Sequence, residues 1–362
     1  MPSLKIHYVR SLCVAVEQSF RIATIAALVF AASASAQTAS NAPSANSNPA
    51  GRQFATDSRR VRAHDPSTII KDKDRYWVFH TGRGVMSYYS TNLVNWLPGP
   101  RVFTDPPEWV SSEVPENRNS HFWAPDIIHL NGEYHLYYSV SSFGKNHSVI
   151  ALATNPALDP DDPSFKWSDR GVVMRSFSTN RFNAIDPALI QDKDGKVWMS
   201  FGSFWSGIKM IELDPKTGKR IAPDSALYSL ARTSEIEAPF IHRHGDAYYL
   251  FVNWGICCRG VNSTYEIRVG KSDRITGPYV DADGKDLADG GGTLVLKTAD
   301  QFIGPGHAGI FVENGTHWFG CHYYDGSRRG APTFSLHPLQ WVDGWPRVQF
   351  TAPSASVESA NP

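Results

Sequence analysis

The sequence predicts an all-β chain folded as a five-bladed β-propeller, and three observations predict it. Five short polar motifs recur: His64-Asp65-Pro66-Ser67, Trp123-Ala124-Pro125-Asp126, Ile185-Asp186-Pro187-Ala188, Glu237-Ala238-Pro239-Phe240 and Gly304-Pro305-Gly306-His307. From Asp65 through Asp126, Asp186 and Glu237 to His307 the steps are 61, 60, 51 and 70 residues. Most motifs precede an apolar run, a tight turn and an aromatic-rich run, and no long amphipathic helical pattern interrupts them. A single supersecondary unit repeated five times is the signature of radial sheets, and roughly 60 residues per unit suffice for a four-stranded blade with long loops. A pair of β-sandwiches would leave the five matched starts unexplained.

The second unit carries the pattern most plainly. Residues 126–130 read as a strand, Asn131-Gly132 as a hairpin turn and residues 133–140 as the return strand; Asn-Gly between apolar runs is the strongest short hairpin signal. In the first unit, residues 67–70 precede a turn at 71–74 and a strand at 76–79. In the third, 188–190 precede a turn at 192–195 and a strand at 197–201. The fourth runs 240–242, a turn at His244-Gly245, then 248–252, and the fifth runs 310–312, Asn314-Gly315, then 317–320. Outer strands are expected at 85–89, 148–153 and 265–270.

The ends read differently. Residues 1–36 have the pattern of a secretory signal: Lys5, Arg10 and Arg21 form a basic leader, residues 22–30 an apolar core, and Ala34-Ser35-Ala36 a small-x-small cleavage site. The apolar stretch is too short for stable membrane insertion, so a secreted or periplasmic protein is expected. Residues 37–58 read as a flexible linker, 59–352 as the propeller and 353–362 as a C-terminal tail.

Composition excludes other classes. With 41% hydrophobic and 19% charged residues, most of the chain is not disordered. Net charge is zero, and about −2 once residues 1–36 are removed, so nothing attracts nucleic acid or an anionic membrane. A neutral partner and a monomeric chain are expected. Aromatics at 12% can fill a β core and also present stacking platforms for sugar rings. After loss of Cys13 three cysteines remain, Cys257, Cys258 and Cys321, too few for a disulfide framework and without zinc spacing. Cys257 and Cys258 either close a strained eight-membered ring or stay reduced.

Chemistry is carried by Asp65, Asp186 and Glu237. A carboxylate beside proline is often only a turn or cap residue, but three at repeat starts converge on one mouth of a propeller channel. In a neutral, aromatic-lined pocket such a group suits glycoside hydrolysis, in which one carboxyl is protonated to assist the leaving oxygen and another is ionised. Neighbouring anions raise one member's pKa and so divide the roles.

Together with Asn183-Ala184 ahead of Ile185, these motifs resemble those of family 43 glycoside hydrolases, which are five-bladed propellers that invert at the anomeric carbon. The stretch Asn253-Trp254-Gly255-Ile256-Cys257-Cys258-Arg259-Gly260, then Ser263-Thr264-Tyr265, and the motif ending at His307 are similar to the arabinanase branch. The resemblance spans about residues 60 to 350. It implies cleavage of α-1,5-linked L-arabinofuranosyl bonds in arabinan, internally, with Asp65 as general base, Glu237 as general acid and Asp186 as the carboxylate that raises and orients the acid. It implies His307 as a ligand of a mostly hydrated Ca2+, and His64, Trp123, Phe143, Asn183 and Trp205 as contacts for arabinan or its oligosaccharides. Asp126, although counted at the same repeat position, is structural in this reading. The rivals are an exo-acting arabinanase, an arabinofuranosidase or β-xylosidase of the same fold, a fructan hydrolase, against which the His-Asp-Pro-Ser and Ile-Asp-Pro motifs speak, and a sugar-binding lectin.

Overall fold

Every expected hairpin forms, and the five hairpins are the inner halves of five antiparallel sheets arranged as a five-bladed β-propeller. The structure is a computed structural model and describes residues 56–57, 61–117 and 119–348. The expected signal, the tail and all of the expected linker but Thr56 and Asp57 lie outside the described residues. Thr56–Asp57, expected within the linker, instead pair with Trp96 and Asn95 as the outermost strand of blade 1.

From the centre outwards, blade 1 consists of Ile70–Asp72, Arg75–His80, Met86–Ser90, Asn95–Pro98 and Thr56–Asp57. Blade 2 runs His121–Leu130, Glu133–Val140, Ser148–Asn155 and Ser168–Ser176, with Gly82–Arg83 added beside His121–Leu130. Blade 3 is Ala188–Gln191, Val197–Phe201, Ile208–Leu213 and Tyr228–Ala231. Blade 4 is Ile236–His244, Ala247–Trp254, Glu266–Ser272 and Thr293–Leu296, and blade 5 is Phe302–Glu313, Thr316–Asp325, Ala331–Val342 and Trp345–Arg347. The α-helix among the described residues is the short Val110–Glu113.

Two turns are tighter than the sequence suggested. Lys71 and Asp72 belong to the first strand, and Lys73 takes φ 54° in a two-residue turn. The blade 4 turn is Gly245-Asp246, with His244 still paired to Ala247. Both Asn-Gly turns have positive φ at both residues, as a hairpin of matching twist requires.

The second strand of each blade carries apolar side chains on both faces because it is buried on both. Successive side chains point to opposite faces. Tyr248, Leu250 and Val252 therefore pack towards blade 3 with Trp198 and Met210, while Tyr249 and Phe251 pack towards blade 5 with Ile310 and Phe319. The same alternation yields a core cluster at each of the other blade boundaries, including that of blades 5 and 1, where Phe334 joins Val61, Val78 and Trp96. Burial of each such side chain contributes about 1.5–3 kcal/mol. The ring closes where Phe334 N–H donates to Val61 O at 2.8 Å.

Candidate active site

Each blade's central segment turns on one residue in the left-handed region: Asp65 (φ 49°), Ala124 (43°), Asp186 (58°), Ala238 (51°) and His307 (60°). Proline follows in four of the five, which disfavours the right-handed helical region for the residue before it. A non-glycine residue held there costs about 1–3 kcal/mol, a strain that persists where surrounding structure over-determines it. In blades 2, 4 and 5 the pairing register also slips at this point.

The kink corrects the register read from sequence. Glu237 stands one residue before it, level with His64 and Trp123, whereas Asp65, Asp186 and His307 are the kinked residues themselves. Asp126 lies two residues beyond and leaves the mouth altogether. It is 3% exposed; its Oδ1 accepts Thr68 N–H from blade 1 at 3.0 Å and its Oδ2 accepts Leu189 N–H from blade 3 at 2.8 Å. It is a clamp across three blades, as its structural reading required. A bulge in an inner strand shifts side chains by one position, and spacing alone cannot register that.

A cleft of about 1310 Å³ lies over these kinks. Asp65, Asp186 and Glu237 line it together with His64, Trp123, Phe143, Asn183 and Trp205. His307 does not; it lies beside Asp65, its Nδ1 3.7 Å from Asp65 Oδ1. Phe143 is 75% exposed and Trp205 42%, so neither is a core residue. Trp123 and Phe143 sit with ring centroids 5.1 Å apart. Asn183 is buried beneath the cleft, where its Oδ1 accepts from Ser148 Oγ and its amide donates to Lys145 O, leaving one amide hydrogen uncommitted. Cys257 and Cys258 form a disulfide in the cleft wall, and Cys321 is a buried free thiol.

Asp65 and the other two carboxyls have opposite electrostatics. Burial alone would raise Asp65, but His64 at 2.7 Å, with His307 and His322 behind it, outweighs burial and holds the carboxyl well below the usual range. Asp65 Oδ2 accepts from His64 Nδ1 and, at 2.6 Å, from the Thr81 hydroxyl. The Thr81 proton is committed there because an ionised carboxylate can only accept, while the hydroxyl oxygen itself accepts Ala124 N–H at 2.8 Å. Oδ1 is thus the oxygen left to act. Burial, then the charges of Glu237 and Asp65, push Asp186 well above the carboxylate range. Burial also raises Glu237, against the hydroxyls of Tyr265 and Ser203 that donate to its Oε1 and Oε2. Two neighbouring buried carboxyls titrate as a pair, and this pair keeps a proton where an isolated carboxyl would lose it. Asp186 Oδ2 also accepts Ala238 N–H at 3.1 Å, fixing the peptide that follows Glu237.

Sequence reasoning did not assign Thr81, Ser203, Tyr265, His322 or Tyr324. Tyr324 joins the site through its hydroxyl, 2.7 Å from His64 Nε2 and 2.7 Å from Cys258 N. Gly306 permits Tyr265: a Cβ at that position would lie 2.4 Å from the tyrosine ring.

Residues 59–346 match the model of glycosyl hydrolases family 43. The chain is 44% identical over 291 residues to an extracellular endo-α-(1→5)-L-arabinanase of Bacillus subtilis, covering 78% of this chain and 86% of that protein. It is 40% identical over 309 residues to an extracellular exo-α-(1→5)-L-arabinofuranosidase of Cellvibrio japonicus, covering 82% and 88%. The fold superposes, with a TM-score of 0.77 and 39% identity, on a Cellvibrio cellulosa α-L-arabinanase complexed with arabinohexaose, covering 80% of this chain and 96% of that one.

Proposed function

The chain belongs to glycosyl hydrolases family 43, and from that premise we propose that it hydrolyses α-1,5-L-arabinofuranosyl linkages of arabinan, internally and with inversion. The observation that carries this is one cleft lined by three carboxyls: Asp65, which His64 at 2.7 Å holds below the usual range, and the buried Asp186 and Glu237, which burial pushes above it. Inversion needs a base for water on one side of the ring and an acid at the leaving oxygen on the other. Asp65, through Oδ1, takes the water's proton. Glu237 protonates the departing oxygen, and its Ser203 and Tyr265 partners stabilise the carboxylate left behind. Asp186 holds the peptide after Glu237 and raises the acid.

The cleft exceeds the roughly 300–1,000 Å³ of a pocket for one small ligand, and exposed Phe143 and Trp205 offer faces to uncharged furanose rings. Both features support several sugars bound at once. Cleavage within the chain follows the endo-acting relative, and terminal release, the activity for which the exo-acting relative is named, is the alternative. Linear arabinan separates them: a ladder of oligomers with an early fall in viscosity supports internal cutting, and a single short product from the start refutes it. Asp65→Asn and Glu237→Gln should each lower turnover by about 10²–10⁴-fold, and a few-fold loss in either would refute its assignment.

A cation is part of this reading. His307 is nearly buried, its ring makes no hydrogen bond among the described residues, and anionic Asp65 lies beside it. That donor set fits a largely hydrated ion such as Ca2+ held by His307, although calcium prefers oxygen ligands. When bound, it would supply positive charge close to the carboxylates. Export is proposed from the signal pattern of residues 1–36 and the extracellular naming of both relatives. No helix among the described residues is long and apolar enough to cross a membrane. A monomer is likewise proposed.

A further inference from the structure

The second strand of each blade begins at the residue closing the hairpin: Arg75, Glu133, Val197, Ala247 and Thr316. Six residues further on stand Thr81, Ser139, Ser203, Asn253 and His322, a polar side chain at the same position in every blade. All but Thr81 are buried. Four of them make the same bond, each accepting the N–H of the kinked residue of the next blade. Thr81 takes Ala124 N–H at 2.8 Å, Ser139 takes Asp186 N–H at 3.0 Å, Asn253 takes His307 N–H at 2.9 Å, and His322 takes Asp65 N–H at 3.1 Å, carrying the pattern around the ring from blade 5 to blade 1. An N–H in a bulged, buried strand has no ladder partner, so it needs one from elsewhere.

Blade 3 breaks the pattern. The N–H of Ala238, which Ser203 should hold, goes to Asp186 Oδ2 at 3.1 Å. Ser203 is thereby released, and its hydroxyl donates to Glu237 Oε2 at 2.8 Å. We propose that Ser203 is a positioning residue for the proton donor: a member of the five-fold ring of backbone latches whose latch has passed to Asp186, leaving its hydroxyl aimed at the carboxyl that changes charge during the reaction. This rests on the reading of Glu237 as the general acid.

The consequence is specific. Glu237 faces Asp186, Asp65, His64 and the Tyr265 hydroxyl as well as Ser203. Burial and the anions oppose ionisation of the acid; the two hydroxyls favour it. As the proton leaves, charge accumulates on Glu237, and a donor already in place stabilises it without reorganisation. Removing that donor makes the acid hold its proton more tightly and release it more slowly.

The test compares wild type, Ser203→Ala and Ser203→Thr in pH profiles of kcat and kcat/KM on linear arabinan, with Glu237→Gln assayed on arabinan and on a 4-nitrophenyl arabinotrioside. A hydrogen bond to a charged group is worth about tenfold or more in equilibrium terms. Ser203→Ala should therefore lose about tenfold in kcat, with its basic limb moved up by about one pH unit, while Ser203→Thr, retaining the hydroxyl, recovers both. A fall in kcat with the basic limb unmoved, or equal loss in Ser203→Thr, would overturn the proposal and leave Ser203 a packing residue. Glu237→Gln should be much less impaired on the nitrophenyl substrate, whose leaving group needs no proton. Equal impairment on both substrates would instead overturn the assignment of Glu237 as the acid, and with it the proposal.

Discussion

Replacing Asp126 tests whether a fourth buried acid belongs to the chemistry or to the scaffold. Its two oxygens accept two backbone N–H groups, one from each flanking blade, and it is 3% exposed. Asp126→Ala strands both donors. A buried donor left unsatisfied costs about 1–3 kcal/mol, so the loss should be about 2–6 kcal/mol, a large part of the roughly 5–15 kcal/mol by which a folded domain is stable. Asp126→Asn keeps one acceptor oxygen and turns an amide N–H2 towards the other donor, so its loss should be about half as large. Denaturant unfolding should rank wild type above Asn and Asn above Ala, with turnover of the folded fraction on linear arabinan unchanged. An Asn variant as stable as wild type but slower by orders of magnitude would place Asp126 in the catalytic machinery. An Ala variant losing less than about 1 kcal/mol would show that the two N–H groups find other partners.

Activity needs Asp65 ionised and the Asp186–Glu237 pair holding a proton, so the acidic limb of kcat/KM should lie below the ordinary carboxyl range and the basic limb above it. In stability the signs differ: the contribution of depressed Asp65 is present above its unfolded pKa and lost as pH falls through its folded one, whereas that of the raised pair is full below the unfolded pKa and lost as pH rises through the folded one. Unfolding midpoints measured across pH should show a decline on both sides, and a monotonic dependence would contradict the assignment. Phe143→Ala should weaken arabino-oligosaccharide binding, measured by titration calorimetry, without a matching drop in melting temperature, because the ring is 75% exposed; a sharp drop with unchanged binding would remove it from the groove. Elemental analysis of the purified protein should find calcium that a chelator removes with loss of activity, and a metal-free, fully active protein would exclude the ion.

The hairpins and the five-fold repeat were legible in the sequence because they are local. Asn131-Gly132 and Asn314-Gly315 supply positive φ within two residues, and the doubly apolar run through Tyr248 and Phe251 reports burial on both faces of one strand. The acids were legible as types at recurring starts, and Asp65, Asp186 and Glu237 do share one cleft. Their register was not. Spacing placed Asp126 and Glu237 at one equivalent position, yet one is a clamp two residues beyond the kink and the other points into the cleft one residue before it. A left-handed kink of this kind is held by an acceptor on a different blade, such as His322 for Asp65, 257 residues away. Nothing within the motif itself encodes that partner. The repeating unit, its strands and its reactive side chains are local properties of the chain. Only the closed ring decided which oxygen of Asp65 is left free, which carboxyls share a proton and why Ser203 turns to Glu237, because each of these depends on donors and acceptors brought together by closure.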